Sequence, residues 1–509
     1  MLTRDGLNDC EHMLRTTTLD SFWARAPALS KIILIFLTGV LSGFGQSPFD
    51  IPILTLLGLG IVIWLDNKVA LVSHFKLGWT FGFGYFASTL AWITQPFLVD
   101  IYSTGWMAPF ALTIMSGGLA VFWGIAFVMA GGRHPLLLCV MLALAEFFRT
   151  YFFGGFPWAL LGYVWIETPL YHLAAFIGPH GMTLLTLLLS SSIAFTSIKY
   201  SGSLVLCILF LPFLPVIEGP RAAEDAGKVR LVHPNVDQSK KWDPKFKEAI
   251  YQRHLKLSQS DSMVDLIVWP ETSLNYPIAA ARNEISVVAN GSHVIVGYQH
   301  RENNNAIYNS LGVLSPDGSV TSEYHKSKLV PFGEYLPFGT FLKKIGLRGL
   351  ATSNEGGFSN GTGPEVFWVP SIGNIQPLIC YEGIFPQFVG RANDRPDLLV
   401  LISNDAWFGE GQGIAQHFAQ ARARTIELGL PMVRVANRGI TTVIDARGAF
   451  SEALDFDDRG ALDSRVPPPL PPTFYATYGE VAFSLALLFV ICVWLIISFQ
   501  KTLLTRHKS

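Results

Sequence analysis

Charge is distributed along this chain in a way that two different solvents explain. Residues 1–217 carry 18 Asp, Glu, Lys and Arg, about 8 % of that stretch; residues 218–480 carry 54, about 21 %, and residues 481–500 carry none. Soluble globular domains average roughly 25 % charged residues. Residues 218–480 therefore read as a water-soluble domain held between membrane-embedded segments. A chain of 509 residues with 50 % hydrophobic and 15 % charged residues is neither disordered nor a single soluble enzyme domain. Its net charge of -1 gives no basic signature, so nothing predicts a nucleic-acid partner.

A membrane-spanning helix needs roughly 20 mostly apolar residues. Apolar runs at about 30–44, 50–66, 76–96, 105–130, 134–150, 169–195, 201–217 and 480–500 predict eight spans. The first two are short, and Pro48 and Pro52 lie between them, so they also read as one broken element. The polar lead over residues 1–29 is too long for a signal peptide and is followed by more than one span. Basic residues set the orientation. With the N-terminus inside, the inner loops hold Lys68, Lys76, Arg133 and Lys199, and the tail 501–509 holds Lys501, Arg506 and Lys508. The outer loops near 45–50, 97–104 and 150–168 hold no Lys or Arg. Seven spans over 30–217 then put residues 218–479 outside the cytoplasm, and the span 480–500 returns the tail.

Within the apolar part, Glu146 and Arg149 share a helix face and can pair, as a structural bridge or toward lipid headgroups. The glycines of Gly78-Trp79-Thr80-Phe81-Gly82-Phe83-Gly84-Tyr85 permit close helix packing and equally suit a lipid groove. The aromatic loop Tyr151–Trp158 suits an interfacial anchor.

The soluble domain alternates strand-like runs with helical stretches. Strands are predicted at Val229–Val236, Leu266–Trp269, His293–Tyr298, Ile307–Leu314, Ile375–Ile379, Leu398–Ser403, Met432–Val435 and Thr441–Ile444. Helices are predicted at about 244–260 and 415–428, and a Pro316-Asp317-Gly318 turn closes a hairpin. The pattern is α/β. Five cysteines are present, and only Cys380 falls in this domain, so the domain forms no internal disulfide. No spacing predicts a metal, and no motif predicts a nucleotide or other cofactor.

Polar residues cluster at strand ends, where α/β sheets commonly face a ligand. Cys380 follows an apolar strand; it reads either as a buried inert thiol or as a nucleophile, and the latter needs a base or cation beside it. Glu271 closes Leu266–Pro270 and reads as a cap or as a general base. Lys326 and Lys328 alternate on one face, solvated or aimed at an oxyanion. The glycine- and serine-rich stretch 351–361 predicts a loop, either passive or a gate for lipid and then acceptor.

Four motifs together carry a family resemblance. They are Trp269-Pro270-Glu271-Thr272, the run from Tyr324-His325-Lys326 through Pro331-Phe332-Gly333-Glu334-Tyr335, Cys380-Tyr381-Glu382, and Ser403-Asn404-Asp405-Ala406-Trp407-Phe408-Gly409. In this order, and with spans before and after, the sequence resembles the apolipoprotein N-acyltransferases, the membrane branch of the nitrilase (carbon–nitrogen hydrolase) superfamily. The resemblance implies a multi-span α-helical membrane domain plus an α/β nitrilase-like αββα sandwich. It implies Glu271 as general base, Lys326 as transition-state stabiliser and Cys380 as nucleophile, with Glu334 orienting Lys326. Tyr381, Glu382, Asn404 and Trp407 would support the pocket, and Trp242 would contact acceptor or lipid or simply anchor at the interface.

It further implies a monomeric enzyme of a Gram-negative inner membrane with its catalytic domain in the periplasm. The acyl donor would be a phospholipid, phosphatidylethanolamine foremost, and the acceptors diacylglyceryl-modified apolipoproteins. No metal or cofactor is implied. The position after Cys380 is tyrosine, where many soluble relatives have tryptophan. A membrane-anchored amidase, with water as acceptor, is the alternative. A transporter with an outer domain finds no support in the spans, several of which lack polar pairs.

Overall fold

The computed structural model describes residues 23, 25–69, 73–195, 198–215, 217–260, 262–303, 305–337 and 357–506. Most of the polar lead and most of the predicted gate at 351–361 lie outside the described residues.

Among the described residues, seven helices of 13 residues or more build the N-terminal half: α1 (Ala28–Gly43), α2 (Pro52–Asp66), α3 (His74–Thr89), α4 (Ala108–Ala130), α5 (Pro135–Tyr151), α6 (Ala174–Phe195) and α7 (Ile198–Phe210). The first two apolar runs are separate helices packed on each other, not one broken element. By length and composition, three stretches among the described residues can cross a membrane: Ile101–Ala130, Pro169–Phe195 and Val481–Gln500. The others are shorter. The predicted run 76–96 stops being α-helical at Thr89 and continues as a 3-10 turn over Ala91–Leu98. The run 169–195 is interrupted at Gly178, whose φ of 68° precedes Pro179; a proline there lacks the amide that would continue the ladder.

Small residues set how closely these helices approach. A Cβ on Gly84 would lie 2.2 Å from the carbonyl of Phe36 in α1, and one on Gly78 would lie 2.5 Å from the Phe127 ring in α4. The glycines of α3 thus serve helix contact. The Glu146–Arg149 pair forms at 2.6 Å inside α5, fully buried. Trp123 Nε1 donates to Glu146, and Arg149 donates to the carbonyls of Phe156 and Trp158. The pair is buried inside the protein, so it is a structural bridge, and it holds the loop 150–168.

The second half is an αββα sandwich. One sheet has the order β12-β1-β2-β3-β4-β5, with β1 (Lys228–His233), β2 (Leu266–Val268), β3 (His293–Arg301), β4 (Ile307–Leu314), β5 (Val320–His325) and β12 (Gly460–Arg465). The other has the order β11-β10-β9-β8-β7-β6, with β6 (Phe367–Val369), β7 (Gly373–Ile379), β8 (Leu398–Ser403), β9 (Met432–Ala436), β10 (Thr441–Ile444) and β11 (Ala453–Leu454). Strands β1–β3 and β7–β9 are parallel, and antiparallel strands flank them. Strand side chains alternate faces. Leu398, Val400 and Ile402 meet Val229, Leu231 and Val268 between the sheets.

The outward residues take the helices. Ile267, Val294 and Val296 pack on Tyr251 and Leu255 of α8 (Lys247–Ser258) and on Ala281 and Ile285 of α9 (Ile278–Ala289). Leu399 and Leu401 share one core with Phe418 and Ala421 of α10 (Gln412–Leu428) and with Trp158 and Leu187 of the membrane half. That core is continuous from sheet to bundle. The chain ends in α11 (Val481–Arg506).

Candidate active site

Three strand ends converge. Glu271 lies in the turn after β2 and Pro270, Lys326 directly follows β5, and Cys380 directly follows β7. All three are buried. Lys326 Nζ sits 3.0 Å from Glu334 Oε1 and 3.5 Å from Glu271 Oε1. Asn309, on the adjoining strand β4, donates one amide group to Glu271 Oε1 at 2.7 Å and to Glu334 Oε1 at 2.9 Å. The other Glu334 oxygen accepts from the Val330 amide at 2.9 Å. Two carboxylates are therefore aimed at one ammonium by a shared amide.

The electrostatics follow from burial. Burial alone would lower the pKa of Lys326, but the neighbouring carboxylates, Glu334 first and Glu271 second, hold it above the ordinary lysine value. It is an ammonium at any physiological pH. Burial pushes the Cys380 thiol up, Glu271 adds to this, and Lys326 opposes. Burial thus favours the thiol form, and a nucleophilic role would call for a base beside it.

Cys380 stands in a left-handed backbone conformation, φ 50°, at the sharp turn from β7 into the 3-10 helix Cys380–Ile384. Such a conformation costs a non-glycine residue about 1–3 kcal/mol and persists only where surroundings impose it. A buried polar brace imposes it here. His417 Nε2 contacts the Cys380 carbonyl at 3.2 Å, and His417 Nδ1 contacts Asp405 Oδ1 at 3.0 Å. Asp405 also accepts from Ser403 Oγ and from Arg434 Nη2, each at 2.5 Å. The Arg434 and His417 charges outweigh burial and hold Asp405 well below the usual carboxylate range. Trp158 from the membrane half stacks on His417, with centroids 5.9 Å apart and planes 17° apart. Arg424 Nη1 meanwhile donates to the Ile384 carbonyl at 2.8 Å.

Glu382 braces the backbone around the site. It is fully buried, and its oxygens accept from Tyr324 Oη at 2.7 Å, the Ser327 amide at 2.8 Å, the Lys328 amide at 3.2 Å and the Ile379 amide at 2.8 Å. It ties the segment after Lys326 to the turn that presents Cys380. Tyr381 is buried and edge-on to Phe385 at 4.9 Å. Asn404 is buried too. It donates to Gln238 at 2.8 Å and accepts from Asn437 at 2.9 Å, which anchors the turn leading to Trp242. Trp242 is 47 % exposed, and Trp407 is partly exposed on the 3-10 turn Asp405–Phe408. Neither tryptophan touches the Glu271, Lys326 and Cys380 groups in a recorded contact among the described residues.

Several site residues escape a linear reading. Arg434 is a single polar residue inside an apolar strand, and Asn309 stands with Ser310 inside the mainly apolar β4. His417 lies on the buried face of α10, and Lys241 sits beside the more conspicuous Trp242. A polar residue interrupting an apolar strand is the one signal that could have found the first two. The outer aromatic loop also divides. Tyr151 and Phe152 are exposed as an anchor would be, but Trp158 is buried and donates to Gln416 of α10 at 2.6 Å.

Two clusters among the described residues carry metal-ligand atoms within 4.8 Å of one another: Cys380, Asp405 and His417, and His300, Glu323 and His325. In the first, Asp405 and His417 are already committed to each other, to Arg434 and to the Cys380 carbonyl, which makes it a hydrogen-bonded brace.

A family model described as carbon-nitrogen hydrolase matches residues 229–468, and one described as apolipoprotein N-acyltransferase N-terminal domain matches residues 38–192. The chain is 33 % identical over 483 residues to the apolipoprotein N-acyltransferase of Sinorhizobium fredii, covering 87 % of this chain and 91 % of that one. It is 33 % identical over 509 residues to the apolipoprotein N-acyltransferase of Brucella suis biovar 1, covering 92 % and 94 %. Among solved structures, the NitN amidase from Neterenkonia sp. AN1 aligns over 51 % of this chain and 98 % of its own, at a TM-score of 0.37 and 15 % identity.

Proposed function

The chain belongs to the apolipoprotein N-acyltransferase family, and from that premise we propose that it moves a fatty acyl chain from a phospholipid, phosphatidylethanolamine foremost, to a lipoprotein. The acceptor is the N-terminal α-amine of an S-diacylglyceryl-cysteine. Glu271, Lys326 and Cys380 form the catalytic triad, and Glu334 orients Lys326. The observation that supports this most is the buried convergence of one base, one ammonium and one thiol on a sandwich whose core runs into a membrane bundle.

Glu271 takes the Cys380 proton as sulfur attacks the ester carbonyl carbon. The Lys326 ammonium stabilises the oxyanion of the tetrahedral intermediate. Collapse breaks the carbon–oxygen ester bond, Glu271 returns the proton to the leaving alkoxide, and a lysophospholipid departs. The acyl group remains on sulfur as a thioester. The acceptor's neutral amine then attacks the same carbonyl, Glu271 takes the amine proton, and the carbon–sulfur bond breaks. The proton passes to sulfur, and the amide product leaves. This is a two-step covalent route with ping-pong kinetics. An amine outcompetes water only where water is excluded and the amine is held close. A membrane site gives both, since acyl tails stay in hydrocarbon at about 0.8 kcal/mol per CH2 kept from water.

In this reading residues 1–29 are a cytoplasmic lead and 30–217 supply about seven spans. Residues 218–479 lie in the periplasm, 480–500 form the last span and 501–509 a cytoplasmic tail, in the inner membrane of a Gram-negative bacterium. Trp242 and Trp407 meet lipid or acceptor, and the enzyme acts as a monomer.

The test is to incubate the purified chain with phospholipid alone and map its peptides by mass. One acyl mass on the Cys380 peptide, removed by hydroxylamine and by added diacylglyceryl-cysteine peptide with amide formed, is expected; Cys380→Ala should lack it. Decay only to free fatty acid in the presence of that peptide would select the amidase-type hydrolase. Full activity of Cys380→Ala would reject both.

A further inference from the structure

Lys241 is a buried lysine that the mechanism above does not use. It ends the short helical turn Gln238–Lys241, and only 3 % of its surface is exposed. Lysine is almost never buried so completely without a partner. Its Nζ donates to the backbone carbonyl of Glu271 at 2.9 Å. Its own carbonyl accepts from Asn275 Nδ2 at 3.0 Å, and Gln238 of the same turn is held by Asn404. The turn is therefore locked on three sides, and its ammonium is aimed at the back of Glu271.

The ammonium shares a small cavity with His254, Glu271, Thr272 and Asn275. His254 Nδ1 bonds the Ile250 carbonyl at 2.8 Å, which fixes the hydrogen there and leaves Nε2 as an acceptor. His254 Nε2 and Asn275 Oδ1 are both buried with no hydrogen-bond partner among the described residues. A cavity lined with acceptors suits a protonated lysine, which has three donors and no acceptor. The titratable groups that face it are Glu271, Cys380 and His254. Burial pushes Lys241 down to about 8, while Glu271 and then Cys380 hold it up.

Charge counting gives the function. Glu271 and Glu334 are balanced by Lys326 and Lys241 while the thiol is neutral. Without Lys241 the cluster carries one excess negative charge, and forming a thiolate in it becomes harder. We propose that Lys241 is a positioning residue of the acyl-transfer site, a second buried ammonium that fixes the backbone of Glu271 and favours the thiolate of Cys380. The proposal rests on the acyl-transfer reading of Glu271 and Cys380.

The experiment reads the thiol itself. The full chain in detergent is treated with iodoacetamide at a series of pH values, and alkylation of the Cys380 peptide is followed by mass. Wild type, Lys241→Gln and Lys241→Met are compared, with thermal unfolding as the check on fold. The glutamine keeps a donor and removes the charge. Both variants should raise the apparent pKa of alkylation by about one unit and slow single-turnover acylation at least about tenfold. In wild type alone, the alkylation curve should depart from a single-site titration near pH 8, where Lys241 loses its charge. An unchanged profile in folded Lys241→Met overturns the proposal. So does a profile that Lys241→Gln restores to wild type, or a single-site curve in wild type. Alkylation needs no phospholipid, so absence of a Cys380 acyl adduct in the wild type rejects the acyl-transfer reading separately.

Discussion

Two lysines two residues apart end in different surroundings, and their chemistry should differ accordingly. Lys326 is buried between Glu334 and Glu271, whereas Lys328 is only partly buried and lays its ammonium 5.7 Å from the centre of the Phe385 ring. An alternating pair on an extended segment shares a face, so sequence alone could not separate them. The separation comes from Glu382, which accepts both the Ser327 and Lys328 amides and bends the chain there. Lys326→Ala should therefore slow single-turnover thioester formation by about a hundredfold, the effect of removing one oxyanion donor at about 3 kcal/mol. Lys328→Ala should stay within a few-fold of wild type. Equal small losses would remove Lys326 from the mechanism. The same locality explains what was legible. Glu271 and Cys380 each close an apolar strand, so pattern marked them; Lys326 follows the largely polar strand Val320–His325, and its motif marked it instead. Asn309 and His417 act through partners distant in sequence; only the polar interruption of β4 hints at the first, and nothing adjacent announces the second.

At the scale of elements, short runs rich in Val, Ile and Leu identified the central strands, and Ile307–Leu314, Leu398–Ser403 and Thr441–Ile444 fall where the pattern put them. The edge strand β12, Gly-Ala-Leu-Asp-Ser-Arg, and helix α9 were not visible in advance. An edge strand buries only part of its surface and so needs little apolar alternation. Helix α3 raised a different difficulty, because its glycines suited both packing and a lipid groove. Contact with α1 decides it, since a methyl group on Gly84 would lie 2.2 Å from a backbone carbonyl that has no rotamer with which to yield. Gly84→Ala should thus push the two helices apart and destabilise the bundle by about 1–3 kcal/mol. At Gly118 in α4 an added methyl group would meet nothing within 4 Å, so Gly118→Ala should be neutral or stabilise by up to about 1 kcal/mol through helix propensity. Thermal unfolding in one detergent measures both. A Gly84→Ala protein as stable as wild type would show that α1 and α3 are loosely joined.

At the scale of the whole molecule, the two solvents inferred from charge correspond to two folds that share one core. Residues Leu399 and Leu401 of β8, Phe418 of α10 and Trp158 of the outer loop belong to the same buried cluster. Sequence could mark where water-soluble composition begins but not this fusion, because the joining residues are ordinary hydrophobics on either side of the boundary. Helix α10 is the shared strut. Its Gln416 takes the Trp158 indole hydrogen, its His417 reaches the Cys380 carbonyl, and its Arg424 is paired with Glu427 and Tyr163 of the membrane half. A sandwich fused to the bundle in this way has no freedom to sit on the other side of the bilayer from the loop 150–168. Orientation of that loop therefore fixes orientation of the site. The loop carries no Lys or Arg, whereas Lys68 and Arg133 lie in turns between helices and Lys76 in the first turn of α3. The exposed hairpin tip at Asp317 lies far beyond that loop in sequence, yet it must share its compartment. An Asp317→Cys protein in intact spheroplasts should react with a membrane-impermeant maleimide before lysis. Cys207 and Cys492, the exposed cysteines among the described residues, should first be replaced by serine. Labelling only after lysis would invert the whole molecule, placing the thiol site on the cytoplasmic face.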